Sequence, residues 1–344
     1  MSGQIAPSFS LSNDPAAVFQ RLGPQMAALD RFMRDQVAQF EPEIRDMAAY
    51  CLETSGKRLR PTLVFIAGWQ GENVVSDPLV RAAGVVEMVH LATLVHDDIM
   101  DRAELRRSRS TATREFGPDA AVLIGDALFS QALHVAAQFP TTDVCRMVSE
   151  STRKVCSGEI MQTLHRRDMG VTMADYYRVI DLKTAELFRV SCHLGAKLAG
   201  YPEEFVRAAN DFGRHLGIAY QIYDDLVDFL GEEKNIGKTL GTDLASGKLT
   251  LPLMRLLEKL PAEERAEIVS AMQQGRPLPL GVNVARMRSL GIGVEVAQAV
   301  DEELQRAADV LKPRAGLAPV PLLLQLSDLL KKQLAGLSAS ASVH

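Results

Sequence analysis

The sequence is poor in aromatic residues, which make up 6% of its 344 positions with a single tryptophan, and it has only four cysteines. Each shortage argues against a class of protein. Cys51, Cys145, Cys156 and Cys192 form no close pair, against a disulfide framework or a zinc site and in favour of buried, reduced thiols. A net charge of -5 provides no pull toward nucleic acid or anionic lipid, so no nucleic-acid partner is expected. No apolar run comes near the roughly 18 residues of a membrane span, and the first residues lack the basic start and apolar stretch of a secretory signal. The expectation is a cytoplasmic chain without a transmembrane segment. Alternating β-branched runs joined by hairpin turns are missing too, which counts against a sheet.

What is present reads as helix. Asp14-Pro15, Asp77-Pro78 and Thr172 with Asp175 are helix starts, where a side chain satisfies open amides and proline is tolerated in the first turn. Apolar residues then recur at spacings of three and four over 15–38, 78–100, 119–139, 142–167, 173–199, 203–230, 295–312 and 319–335. Gly71 and Gly200 are candidate stops. The fold class expected is all-α. Breaks at 231–249 and 274–283 read as loops within one domain spanning 1–344, the second being where a C-terminal helical subdomain would begin; 1–13 and 337–344 are expected to fray.

Two acidic clusters stand out. Asp97, Asp98 and Asp101 share one DDxxD spacing, and Asp224, Asp225 and Asp228 repeat it. On a helix, positions i and i+4 share a face while i+1 lies about 100° around, so each cluster stacks two carboxylates with a third beside them. Both clusters sit on strongly apolar segments, where like charges cost free energy unless cations offset them. A lone cluster would read as a solvated helix end, but a second with the same spacing reverses that preference. All-oxygen ligands favour Mg²⁺, Mn²⁺ or Ca²⁺, and Mg²⁺ takes few carboxylates plus substrate phosphates. Basic residues gather beside the clusters: Lys57, Arg58 and Arg60; Arg102, Arg106, Arg107 and Arg109; Lys238 and Lys248. Such sets suit a phosphorylated substrate.

In order along roughly 40–255, the chain carries GKRLRP at 56–61, His90, Leu-Val-His-Asp-Asp at 94–98, Arg106-Arg107, Gly125-Asp126, Gly158-Glu159 with Gln162, Lys183-Thr184, Gln221 before DDLVD, and GKTLGTDL with GKLTLP at 237–252. In these motifs it resembles the trans-isoprenyl diphosphate synthases, or polyprenyl synthetases. The resemblance implies a large single-domain helical bundle of the isoprenoid synthase type, with two aspartate-rich helices facing across a deep central cavity, and a homodimer. It further implies condensation of an allylic diphosphate with isopentenyl diphosphate, releasing pyrophosphate, in which no protein nucleophile is needed. By that resemblance Asp97 and Asp101 hold two Mg²⁺ (or Mn²⁺) and Asp224 a third, with Asp98, Asp225 and Asp228 as outer or accessory ligands. Arg106, Lys183 and Lys238 contact the allylic diphosphate and Lys248 closes the lid over it, while Thr184 and Gln221 orient diphosphate or cation. Lys57, Arg60, His90 and Arg107 hold isopentenyl diphosphate.

Short-chain members often place aromatic side chains four and five residues before the first aspartate. Here Thr93 and Ala92, with Val89 a turn earlier, are small or medium, and a helical turn advances about one isoprene unit, so a long product on the order of C30 to C50 is expected. Its release implies transient membrane contact. Alternatives are a farnesyl or geranylgeranyl diphosphate synthase and a class I terpene cyclase. The cyclase's second motif accommodates Glu232 but not Asp228, and the GKRLRP segment and His90 favour a second diphosphate. A metal phosphohydrolase suggested by His96-Asp97 lacks further spaced histidines, and a non-catalytic subunit would often lack one cluster.

Overall fold

In the computed structural model, residues 17–52, 56–106, 109–231 and 240–341 are described. Helices follow one another throughout: α1 (Ala17–Arg21), α2 (Gly23–Val37), α3 (Arg45–Leu52), α4 (Leu59–Ala67), α5 (Asp77–Met100), α6 (Ala112–Phe116), α7 (Pro118–Ala137), α8 (Asp143–Leu164), α9 (Met173–Ile180), a π-helical turn (Asp181–Ala185), α10 (Glu186–Leu198) and α11 (Glu203–Leu230). Beyond these lie Thr242–Ser246, Leu251–Lys259, Ala262–Gln274, Leu280–Ser289, Ile292–Leu311 and Pro319–Ala341. The one departure from helix among the described residues is a hairpin pairing Leu105–Arg106 with Arg109–Ser110. The all-α expectation holds.

Local signals act as the chemistry requires. Thr172 and Asp175 close a reciprocal capping box at the start of α9. Gly200, at φ 75°, follows α10 in the left-handed conformation that ends helices. Asp14-Pro15 lies outside the described residues. The long segment expected over 173–199 is interrupted by the π turn, 231–249 contains a short helix, and the C-terminal helix continues to Ala341 rather than stopping at 335.

The core is layered around α5. Its residues from Val85 to Ala92 are buried apart from His90, because α4 and α10 cover one side and α2 and α7 the others. α11 packs its apolar side on α10 and on Ile292–Leu311. The expectation of no span-length apolar run is corrected here: α5 and α7 are both long and apolar enough to cross a membrane. For α5 the reason is burial, since 72% of its most apolar stretch lies inside the protein; for α7 the fraction is 39%.

Two glycines position the π turn. A Cβ on Gly158 of α8 would lie 2.7 Å from the Lys183 amide nitrogen, and one on Gly217 of α11 would lie 2.6 Å from the Ala185 Cα. The turn is held between two helices that approach it without side chains in the way. Gly217→Ala should therefore overpack this contact and destabilise the fold by about 1–3 kcal/mol. A lower urea midpoint at unchanged slope is the expected result; an unchanged midpoint would show that the π turn gives way freely.

Candidate active site

The six aspartates of the two clusters divide into two groups. Asp98, 4% exposed, accepts from the Nε (2.7 Å) and Nη2 (2.6 Å) of Arg106. Asp225, also 4% exposed, accepts from the Tyr176 hydroxyl at 2.6 Å and the Gln221 amide at 2.7 Å. Gln221 in turn accepts from the Thr184 hydroxyl at 2.6 Å, which fixes the orientation of its amide. Asp228 accepts from the Thr242 hydroxyl (2.9 Å) and amide (3.3 Å) and from the Asp243 amide (3.0 Å), so it caps Thr242–Ser246 from a neighbouring helix. These three carboxylates are turned inward as struts.

Asp97, Asp101 and Asp224 keep partial exposure. Lys183 lies 3.8 Å from Asp97, donates to Gln162 at 2.9 Å and pairs with Glu159. Lys248 reaches Asp101 at 3.3 Å, and Arg166 reaches its other oxygen at 2.5 Å. The clusters are thus joined by two bridges. In the π turn, Lys183 faces the first cluster while Thr184 binds the second through Gln221; in the segment after α11, Thr242 is held by Asp228 while Lys248 contacts Asp101.

Electrostatics follow this division. Burial pushes the Asp97 carboxyl up to about 6; Lys183 opposes it, and Glu159 and Asp101 add to it. Burial, reinforced by Asp243, lifts Asp225 well above the carboxylate range despite its two donors. Asp101 differs: burial raises it, yet Lys248, Arg166 and Lys183 together outweigh that and hold it below its ordinary value.

The remaining expected residues sort as follows. Arg60 lies with its guanidinium 5.1 Å from the Phe188 ring centroid, and Lys57 lines an apolar cavity of about 300 Å³ with Leu59, Phe188 and Tyr220. Arg58 turns aside to Asp30 at 2.7 Å. His90 is half-buried two turns before Asp97. Arg106 is engaged by Asp98 rather than held open, while Arg107 and Lys238 lie outside the described residues. Val89 and Ala92 are buried, and the Thr93 hydroxyl donates to the His90 carbonyl at 2.7 Å. Neither the large cavity nor a smaller one of about 40 Å³ beside Asp225 is lined by these three. Arg166 and Tyr176, and the role of Glu159, had no signal in sequence spacing; only the tertiary fold brings them to their partners.

Among the described residues no three His, Cys, Asp or Glu side chains converge on one point. A hard divalent cation fits this arrangement: the partly exposed donors of the clusters are carboxylate oxygens, too few to complete a shell, and Mg²⁺ retains water and substrate phosphate ligands. The raised Asp97 gives a direct test. In metal-free protein the folded chain keeps a proton that the unfolded chain has lost between about pH 4 and 6, so stability falls across that window by roughly 3 kcal/mol as pH rises. Asp97→Asn, neutral throughout, should match wild type below pH 4 and exceed it at pH 8 in urea melts with chelator. Equal stability at both pH values would show that Asp97 is not held in a desolvated position.

Comparison with known proteins accords with this geometry. The polyprenyl synthetase family profile matches residues 41–278. Octaprenyl diphosphate synthase of Haemophilus influenzae is 33% identical over 294 residues, covering 84% of this chain and 88% of its own. A decaprenyl diphosphate synthase structure from Rhodobacter capsulatus superposes with TM-score 0.84 at 30% identity, covering 93% of this chain and 99% of that one. A polyprenyl synthase from Caulobacter crescentus, complexed with calcium and isoprenyl diphosphate, gives 0.85 at 26% identity, covering 94% and 99%. With profile, sequence and fold in agreement over most of its length, the chain belongs to the polyprenyl synthetase family and is a trans-polyprenyl diphosphate synthase.

Proposed function

We propose that the chain joins an allylic diphosphate to isopentenyl diphosphate head to tail, using Mg²⁺, to give a long trans-polyprenyl diphosphate and pyrophosphate. The observation that carries this reading is the division of the aspartates: three are struts, and the other three, Asp97, Asp101 and Asp224, stay partly exposed in two clusters joined by the segments that carry Lys183 and Lys248. Those three would hold the ions, and the Caulobacter structure, complexed with calcium and isoprenyl diphosphate, is consistent with a divalent cation here. When bound, the ions neutralise negative charge that develops on departing pyrophosphate. Lys183 and Lys248 add positive charge at the same place, already aimed at the first cluster. Gln221 and Thr184 offer oriented dipoles near the cation without a nucleophile to trap it. Lys57, Arg60 and His90, with Arg107, are assigned to isopentenyl diphosphate.

A long product agrees with the names of the octaprenyl and decaprenyl relatives and with small side chains at Ala92 and Val89. Mass spectrometry of products from farnesyl diphosphate, isopentenyl diphosphate and Mg²⁺ should give chains on the order of C30 to C50, and Ala92→Phe should shorten them. Asp97→Asn or Asp224→Asn should lower kcat by on the order of 10³-fold or more. Consumption of the allylic substrate without isopentenyl diphosphate would instead mark a cyclase.

The chain acts as a homodimer in this reading, in the cytoplasm, with transient membrane contact at product release. α7 and α8 form an antiparallel hairpin, and exposed Val122, Leu123, Ile160 and Leu164 lie near the ends that it brings alongside. Four free cysteines suit a reducing compartment. Leu123→Lys with Ile160→Lys should shift sedimentation from dimer toward monomer; wild-type monomer, or an unshifted double variant, would rule this face out.

A further inference from the structure

The C-terminal end of α8 adopts a conformation that costs free energy for a residue with a side chain. Arg167 stands at φ 64°, in the left-handed region. Its amide donates to the Gly247 carbonyl at 2.9 Å, and Gly247 is itself left-handed at φ 74°, with a Cβ there 2.6 Å from the Arg167 Cγ. The junction therefore ties the end of α8 to the segment between α11 and Leu251–Lys259. Its flanking residues, Arg166 on one strand of chain and Lys248 on the other, meet at a single carboxylate.

That carboxylate is Asp101. Arg166 Nη2 lies 2.5 Å from its Oδ1, Arg166 Nη1 donates to the Met100 carbonyl at 3.4 Å, and Lys248 Nζ lies 3.3 Å from its Oδ2. The Arg166 side chain is 23% exposed and that of Lys248 15%, so both charges are largely withdrawn from solvent. The Arg166 Nε is buried and makes no hydrogen bond among the described residues. A carboxylate with a cation on each oxygen binds a metal ion less readily, because the resident cations repel it and occupy lone pairs of the same oxygens. The Arg166 guanidinium carries a planar donor fork suited to phosphate oxygens, so a diphosphate offers it a second partner nearby.

We propose that Arg166, held by the Arg167–Gly247 junction, is a resident counter-ion and positioning residue for Asp101 that competes with divalent metal and thereby lowers the metal affinity of the first acidic cluster. This inference rests on the metal role given above to Asp101. Nothing in the reaction chemistry requires an arginine at this place. Its consequence is coupling: metal binds weakly to the empty enzyme and more firmly once a diphosphate accepts the released arginine.

The test is Mn²⁺ binding to the full chain without substrate, read from the loss of the free-ion electron paramagnetic resonance signal. Arg166→Gln should bind Mn²⁺ about five- to tenfold more tightly than wild type, the equivalent of about one charge-assisted contact removed from competition. Arg166→Lys, which keeps charge but loses the fork, should bind about two- to threefold more tightly. In an Asp101→Asn background, Arg166→Gln should make no difference. Unchanged or weaker binding by Arg166→Gln at wild-type melting temperature overturns the inference, as does a difference that survives in the Asp101→Asn background. If Arg166→Gln fails to fold, Arg166→Lys decides, and binding equal to wild type overturns it. If neither wild type nor Arg166→Gln binds Mn²⁺ even with inorganic pyrophosphate added, the proposed metal role is overturned as well, which separates the two failures.

Discussion

Like charges gathered in an apolar interior constrain the rest of this structure. Six aspartates occupy the ends of two helices whose other sides are buried, and each carboxylate withdrawn from water costs several kcal/mol unless it gains partners. The protein meets that cost in three ways. Arg106 neutralises Asp98, neutral donors surround Asp225, and backbone amides of another helix satisfy Asp228. Asp97, Asp101 and Asp224 are the carboxylates that stay partly exposed, Asp101 with Arg166 and Lys248 beside it. Asp97 shows how incomplete its compensation is, because burial outweighs the nearby Lys183. The two exposed positions of the first cluster therefore differ: Asp97 is under-compensated, whereas Asp101 carries resident cations with which a metal ion has to compete.

The π turn links that charge distribution to the fold. An α-helical register would place consecutive residues about 100° apart, and the widened turn at Asp181–Ala185 alters this where Lys183 and Thr184 must serve opposite clusters. Gly158 and Gly217 allow the flanking helices to approach the wider turn, so the residues that look least chemical fix the geometry of those that are most so. The network Thr184–Gln221–Asp225–Tyr176 then runs through the second cluster without an unpaired end. Such a chain of bonds rigidifies the site while presenting no nucleophile to a carbocation.

Much of this was legible in the residues alone. The long amphipathic segments, the capping box at Thr172 and Asp175 and the two DDxxD spacings depend on periodicities of three and four, which sequence displays directly. α3 and α4 were not, since α4 is buried on all faces from Pro61 to Ala67 and shows no polar side to mark its period. Spacing also told which aspartates share a face but not which face meets the core. The inward turn of Asp225 and the capping role of Asp228 depend on Tyr176 and Thr242, brought in by other segments. The span-like apolarity of α5 and α7 misleads for a related reason: composition records burial without saying whether lipid or protein does the burying.

α7 connects the site to the outside. On its inner side Gly125 leaves room for His96, which stands one residue before Asp97 and hydrogen-bonds the Val122 carbonyl at 3.1 Å. Leu128 and Ala132 continue that inner face beside the buried residues of α5. The outer side of the same helix exposes Val122 and Leu123. A surface covering those two residues would press on the helix that positions His96. α7 thus has two apolar faces, and a change on its outer face reaches His96, next to the first acidic cluster, through a single packed layer.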